Sequence, residues 1–391
     1  WGSGFWDLAA FTMQMAMILL GGYVVAMSRP VQWVLLGLIG LIRTPTQAVL
    51  FCTAAAISAS WINWGFGLVV GGVVALEVGK RLPHVPFRVL VASSYSGFLV
   101  WHAGLSGSIP LTANTADAKI TQDAMGGVTV PLSQTTFGTV NIVALISIVV
   151  LLLVLNWLML RFVGEEKNSQ GAVPKSTAPE KSDSNKSGGC LENSFVLALL
   201  LGGMGVFYIT CIIRSDQFKL DLNTVMFIFF MAGLLLHGSP SAFMKSVTEA
   251  VPKIAPILIQ YPLYAGIMAL LVKTGLAQQM SEFFVENSTA NTLPLMTFYS
   301  AGLVNLFVPS GGGQWAVQAP VVIPAVQELG ADLPKTIMAV AWGDAWTNML
   351  QPFWAVPLLT IAGLNIKDII GLLLVTLLAS GAVLSLVFLL V

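Results

Sequence analysis

Charge and cysteine are scarce in this chain. Only 9% of its 391 residues are charged while 56% are apolar, against about a quarter charged in ordinary soluble domains, and that excludes a water-soluble globule. The three cysteines, Cys52 and Cys211 in apolar runs and Cys190 in a polar stretch, make neither a disulfide framework nor metal-ligand spacing. Eighteen basic residues balance eighteen acidic ones, so no net charge calls for nucleic acid as a partner. Neither a Gly-x-x-x-x-Gly-Lys-Ser/Thr loop nor a His-Glu-x-x-His pair occurs. A nucleotide-driven pump of the Walker type and a helix-borne zinc protease are thereby excluded. With no basic segment or cleavage site ahead of the first apolar run, a signal peptide cannot be read from these residues.

Long apolar runs are what the chain has instead. A helix needs about 20 mostly apolar residues to cross a bilayer, and runs of that order occupy 5–27, 138–163, 194–214, 222–237, 254–273 and 367–391. The fold class expected is an all-α polytopic membrane protein. Four further apolar stretches are interrupted by Gly, Pro, Asn and Ser: 46–79 around Asn63, 87–112 around Gly104–Pro110, 293–329 around Pro309–Gly313, and 334–363 around Asn348–Pro352. Unpaired backbone at membrane depth is tolerated only inside protein or along a wet cavity, so these breaks point to a binding site. The spacing predicts re-entrant helical hairpins over 46–79 and 293–329 and broken crossing helices over 87–112 and 334–363. The polar stretch 164–192, rich in Ser, Lys, Pro and Gly, reads as a flexible linker. Segments 28–45 and 274–292 are expected along the interface.

An offset of 242 residues aligns Asn63 with Asn305, Pro110 with Pro352, His102 with Asp344 and Ser106 with Asn348. The order of hairpin then broken helix recurs, giving a first repeat over 1–163, the linker 164–192 and a second repeat over 193–391. Counting crossings sets the halves in opposite orientation, as inverted repeats with a site between them near the midplane. Lys119, Arg214, Lys219, Lys273 and Lys335 then share one side, and the other 13 of 18 basic residues mark the opposite side as cytoplasmic. The second repeat has one helix more than the first, so a helix is expected before Trp1.

At the second tip, Ser310-Gly311-Gly312-Gly313 opens a helix with no side chain to block its N–H groups, an arrangement suited to an anion. Asn63 and Asn305 at the tips, with Asn348 at the second break, offer oxygens to a coupling cation such as sodium. His102 and Asp344 fall well inside crossing segments, where burying a charge is expensive, and can relay a proton or contact that ion. Ser106, Ser108 and Gln351 supply neutral hydrogen-bonding groups at the breaks, and tryptophans including Trp64, Trp101 and Trp354 stand nearby. Gly104-Leu105-Ser106-Gly107 also matches the short nucleophile motif of intramembrane serine proteases, and an anion channel is the other alternative. No catalytic group and no cofactor beyond sodium or protons is expected.

Four longer motifs carry a family resemblance. Trp-Gly-Ser-Gly-Phe-Trp-Asp-Leu-Ala-Ala-Phe at 1–11, Trp-Ile-Asn-Trp-Gly-Phe-Gly-Leu-Val-Val-Gly at 61–71, Phe-Val-Pro-Ser-Gly-Gly-Gly-Gln-Trp at 307–315 and Met-Leu-Gln-Pro-Phe-Trp-Ala at 349–355 resemble the bacterial short-chain fatty acid transporter family, AtoE type. The resemblance implies uptake or exchange of butyrate, acetoacetate and similar monocarboxylates across the bacterial inner (plasma) membrane, and symport with a cation or proton is the coupling expected. It also implies homodimers within the ion transporter superfamily, in which a transport domain moves as an elevator against a scaffold. Ser-Asn-Thr tips that hold sodium in that wider group are absent here, where the tips read Ser60-Trp61-Ile62-Asn63 and Asn305 followed by Ser310. Family members begin with a helix before the Trp-Gly segment, in line with the helix expected before Trp1.

Overall fold

The computed structural model describes residues 2, 5–6, 9–116, 118–163, 191–215 and 222–391, and no strand occurs among them. Helices α1 (Ala9–Ala26) and α2 (Arg29–Ile39) meet at a bend of 66°. Pro30 favours a helix start there, because proline has no N–H to contribute and its φ is already helical. The bend frees carbonyls that side chains recover: His237 donates to Val24 O at 2.9 Å and Gln32 to Ala26 O at 2.9 Å. Trp33, Leu36 and Leu41 stay exposed around α2.

Helix α3 (Pro45–Ile62) starts at a reciprocal cap between Thr44 and Gln47. It stops at Asn63, whose extended backbone (φ −155°, ψ 130°) turns the chain back into α4 (Trp64–Arg81). A Cβ on Gly67 would overlap Ser60, so the two arms lie side by side as a hairpin. The next crossing is interrupted. Helix α5 (Phe87–Ser96) tightens into a 3-10 segment, Gly97–Ala103, opens at 104–107 and restarts as α6 (Ser108–Ala113). Gly97 permits this packing, since a Cβ there would stand 2.7 Å from the Cβ of Ala56 on α3. The short α7 (Lys119–Met125) and the long α8 (Thr139–Val163) complete the first half. The expected linker lies outside the described residues except for Leu191 and Glu192.

The second half runs through α9 (Phe195–Arg214), α10 (Leu222–His237), α11 (Pro240–Lys273) and α12 (Leu276–Glu286). A hairpin follows, α13 (Leu293–Asn305) and α14 (Gly311–Leu329), then α15 (Leu333–Thr347), α16 (Pro352–Ala362) and α17 (Ile366–Leu390). Helices α3, α8, α9 and α17 are each long and apolar enough to cross a membrane. The span expected at 254–273 begins earlier, because α11 continues for 34 residues through Pro252, Pro256 and Pro262. At 1.5 Å per residue it measures about 50 Å, more than a hydrocarbon core of about 30 Å, so part of it lies outside the core or the helix tilts.

Contacts repeat between the halves. Helix α3 packs on α4 and on the 3-10 segment, as α13 packs on α14 and α15. Across the halves α4 lies against α16, α14 against α6, and α8 against α17. Each returning hairpin arm therefore touches the far part of the other half's broken helix, and both breaks face the interior. Trp64, Phe98, Trp101 and Trp354 cluster there, with ring centroids 5.1 Å apart for Trp64 and Trp354 and 5.8 Å for Phe98 and Trp101.

Candidate binding site at the hairpin tips

Ser310 caps α14 from an extended conformation (φ −152°, ψ 110°), its hydroxyl accepting the Gly313 N–H at 3.3 Å while its carbonyl accepts that of Gln314. The N–H groups of Gly311 and Gly312 have no hydrogen-bond partner among the described residues. They open the positive end of a 19-residue helix. This tip rests on the first broken crossing: a Cβ on Gly311 would stand 2.6 Å from His102 Nε2 and would overlap the Ser108 hydroxyl. His102 Nε2 in turn lies 3.5 Å from Asp344 Oδ2, with both side chains fully buried. Both ring nitrogens of His102, Ser108 Oγ and Asp344 Oδ2 lack hydrogen-bond partners. Burying such groups unpaired costs free energy that a bound polar ligand would recover.

Beside this cradle, the second break is crowded with oxygens. Asn305 Nδ2 meets Asp344 O at 2.9 Å, Thr347 Oγ1 at 2.8 Å and Asn348 Oδ1 at 2.9 Å, three acceptors for an amide that has two hydrogens. Asn305 Oδ1 has no partner. Gln351 donates to the carbonyls of Asn305 and Leu306 at 3.0 and 2.8 Å, and the Tyr95 hydroxyl donates to Asn348 O at 2.8 Å. These oxygens gather at the C-terminal, negative end of α15, which suits a cation. Gln351 is thus a clamp on the second tip, and its amide hydrogens are already committed.

The first tip is partly engaged by its own chain, although Ser60 Oγ and Asn63 Nδ2 stay buried without a hydrogen-bond partner. Asn63 Oδ1 accepts the Phe66 N–H at 3.0 Å, and the Trp64 N–H donates to Ser106 Oγ at 3.0 Å. Leu105 N–H donates to Trp61 O at 2.8 Å. Trp64 opens α4 as Gly311 opens α14, so Ser106 supplies at one tip the acceptor that the other tip lacks. The caps do not follow the 242-residue offset: Asn63 and Ser310 are the N-caps of the two returning arms, whereas Asn305 is the last residue of the incoming arm. An offset built on matching residue types could not anticipate the longer loop after Asn305. Replacing Ser106 by Ala strips an acceptor from a buried N–H, a loss of about 1–3 kcal/mol in stability. Thermal unfolding should register it while the KM of uptake changes less than about threefold, since Ser106 is engaged with the first tip.

Two residues unremarked in the sequence prove central to the packing. Asn141 on α8 donates to Ala103 O at 3.2 Å and Thr136 O at 2.7 Å and accepts the Trp342 indole N–H at 2.8 Å. Asn156, farther along α8, donates to Thr53 Oγ1 at 3.0 Å and Ser96 Oγ at 2.9 Å. Both sit in the otherwise apolar run 138–163, and a lone amide in a crossing helix is the signal that marks such a contact. Gln314 and Gln318 likewise tie the arms of the second hairpin, through Ala301 O at 2.8 Å and Ser300 Oγ at 3.1 Å.

The profile of the family described as "Short chain fatty acid transporter" matches residues 1–391. A protein of Escherichia coli K12, provisionally named a short-chain fatty acid transporter, is 40% identical over 394 aligned positions that cover 98% of this chain and 87% of its own length. A Haemophilus influenzae protein of the same provisional name is 39% identical, covering 95% of this chain and 85% of its own. Among solved structures, the YdaH transporter of Alcanivorax borkumensis, described as having an unusual topology, superposes with a TM-score of 0.52 at 17% identity. That alignment covers 95% of this chain and 84% of the other, and it shows a shared fold.

Proposed function

Since the chain belongs to the short-chain fatty acid transporter family, we propose that it is a secondary carrier of short monocarboxylates of the butyrate and acetoacetate class. The free N–H groups of Gly311 and Gly312, set against Ser108 and His102, are the observation that carries the reading. The substrate carboxylate accepts hydrogen bonds from them and from the Ser108 hydroxyl, with Ser310 and Gly313 shaping the turn. A short apolar tail would then lie beside the buried rings around Trp101 and Trp354. Ser106 and Gln351 support the two breaks, because each is already engaged with backbone.

An anion alone does not cross a low-dielectric barrier cheaply, so its charge must be offset. Two positions beside the cradle suit that role: the oxygens of Asn305, Asn348 and Thr347 for sodium, and the His102–Asp344 pair for a proton. Asn63 contributes less to a cation site, its oxygen being engaged with Phe66. Loading both substrate and counter-charge favours the state that moves, which is the thermodynamic requirement for symport. The crossed contacts of the two hairpins support an inverted repeat, 1–163 against 193–391, joined by 164–192. An elevator movement in a homodimer of the bacterial inner membrane is the arrangement that fits this reading. The family is one of transporters rather than enzymes, which removes the protease alternative at Ser106.

Uptake of labelled butyrate into proteoliposomes tests the reading, with sodium and proton gradients imposed separately. Saturable uptake, competed by acetoacetate and stimulated by one gradient, is the expected result. Unsaturable flux without exchange of labelled for unlabelled substrate would make the protein a channel instead.

A further inference from the structure

We infer that Asn141 is a positioning residue that sets the separation of His102 and Asp344 by gripping the chain behind both. The inference rests on the reading of that pair as part of the transport site. Asn141 is buried and every polar atom of its amide is engaged: the two N–H bonds go to Ala103 O and Thr136 O, and its oxygen accepts from Trp342 Nε1. The orientation of the amide is fixed, since a flip would set its oxygen against two carbonyls. Ala103 directly follows His102 at the end of the 3-10 segment, and Trp342 precedes Asp344 by two positions on α15. Side chains two residues apart on a helix point to nearly opposite sides. The grip on Trp342 therefore comes from behind α15 and leaves the face carrying Asp344 free.

The first break and α15 belong to different halves of the chain. A single side chain on α8 bonds to both, at 2.8–3.2 Å, next to a place where an imidazole and a carboxylate meet fully buried. Asn156 on the same helix holds Thr53 and Ser96 instead, so it provides a matched control: the same residue type in the same helix, also buried, away from the pair. Losing the Asn141 grip lets the 3-10 segment and α15 separate, which exposes the imidazole and loosens the cradle where Gly311 rests on it.

The test compares Asn141→Leu, Trp342→Phe and Asn156→Leu in purified full-length protein. The first removes every bond of the grip, and the second removes only the indole N–H, leaving a ring to fill the space. Carbethoxylation of His102 by diethyl pyrocarbonate, read by mass spectrometry against exposed His84, is expected to quicken about tenfold in both Asn141→Leu and Trp342→Phe. The KM for butyrate should rise by about the same factor with Vmax per inserted protein held near wild type. In Asn156→Leu neither should change, whatever happens to its melting temperature. Unchanged His102 reactivity in both variants, or an equal rise in Asn156→Leu, overturns the inference. Absent uptake in the wild-type protein would count against the carrier reading alone, because the labelling rates decide the grip without it.

Discussion

Replacing Gly311 by Ala raises the KM for butyrate roughly 5- to 140-fold, and Gly311→Val abolishes uptake. The added Cβ would sit 2.6 Å from His102 Nε2 and overlap Ser108, and both neighbours are held among packed rings and helices, so the tip must lift from its seat. Overpacking of a tight contact costs about 1–3 kcal/mol, and at 1.4 kcal/mol per tenfold that gives the range stated. Two branched methyls at the same place leave the tip no room to seat. Initial uptake rates over a range of butyrate concentrations check this, with Gly203→Val as the control, because a Cβ on Gly203 meets nothing within 4 Å. Wild-type kinetics in Gly311→Val would move the substrate away from this tip.

Asp344→Asn separates binding from driving. The carboxylate is fully buried, faces His102 at 3.5 Å, and touches Asn348 through its other oxygen at 3.4 Å. A neutral amide cannot take up the proton or face the cation that this position would load, so gradient-driven accumulation of butyrate should fall to the level reached without a gradient. Exchange of labelled for unlabelled butyrate should survive, because the N–H groups of Gly311 and Gly312 that hold the substrate are untouched. Both quantities can be read from the same vesicles, with and without an imposed gradient. Accumulation at the wild-type level in Asp344→Asn would place the coupling charge elsewhere.

Much of the architecture was legible in the sequence because its causes are local. Apolar length sets where α8, α9 and α17 run, and the Asn, Gly and Pro interruptions set where hairpins turn and crossings break. The 34-residue α11 was the exception. The apolar run 254–273 marks only its later part, because the helix begins at Pro240 through a stretch carrying Lys245, Glu249 and Lys253 that apolar length alone does not mark. The order of hairpin then broken helix in each half was legible, but the correspondence of the two tips was not, since matching Asn63 to Asn305 compared residue types, whereas the N-caps of the two returning arms are Asn63 and Ser310.

The sequence by itself determined the class of molecule, the number and place of its helical interruptions, and the presence of an N–H-rich glycine turn after Ser310. It also marked His102 and Asp344 as charges that hydrocarbon does not tolerate alone. Only the tertiary structure decided that these two meet each other, that Gly311 closes onto them, and that Ser106 accepts the Trp64 N–H at one tip while the Gly311 N–H at the other meets no acceptor among the described residues. It alone revealed Asn141 as the link behind the pair. Helix and break follow from forces acting along a few turns of chain, and composition records those forces. Pairings between residues more than two hundred positions apart follow from which helix faces are pressed together, and no local pattern encodes that.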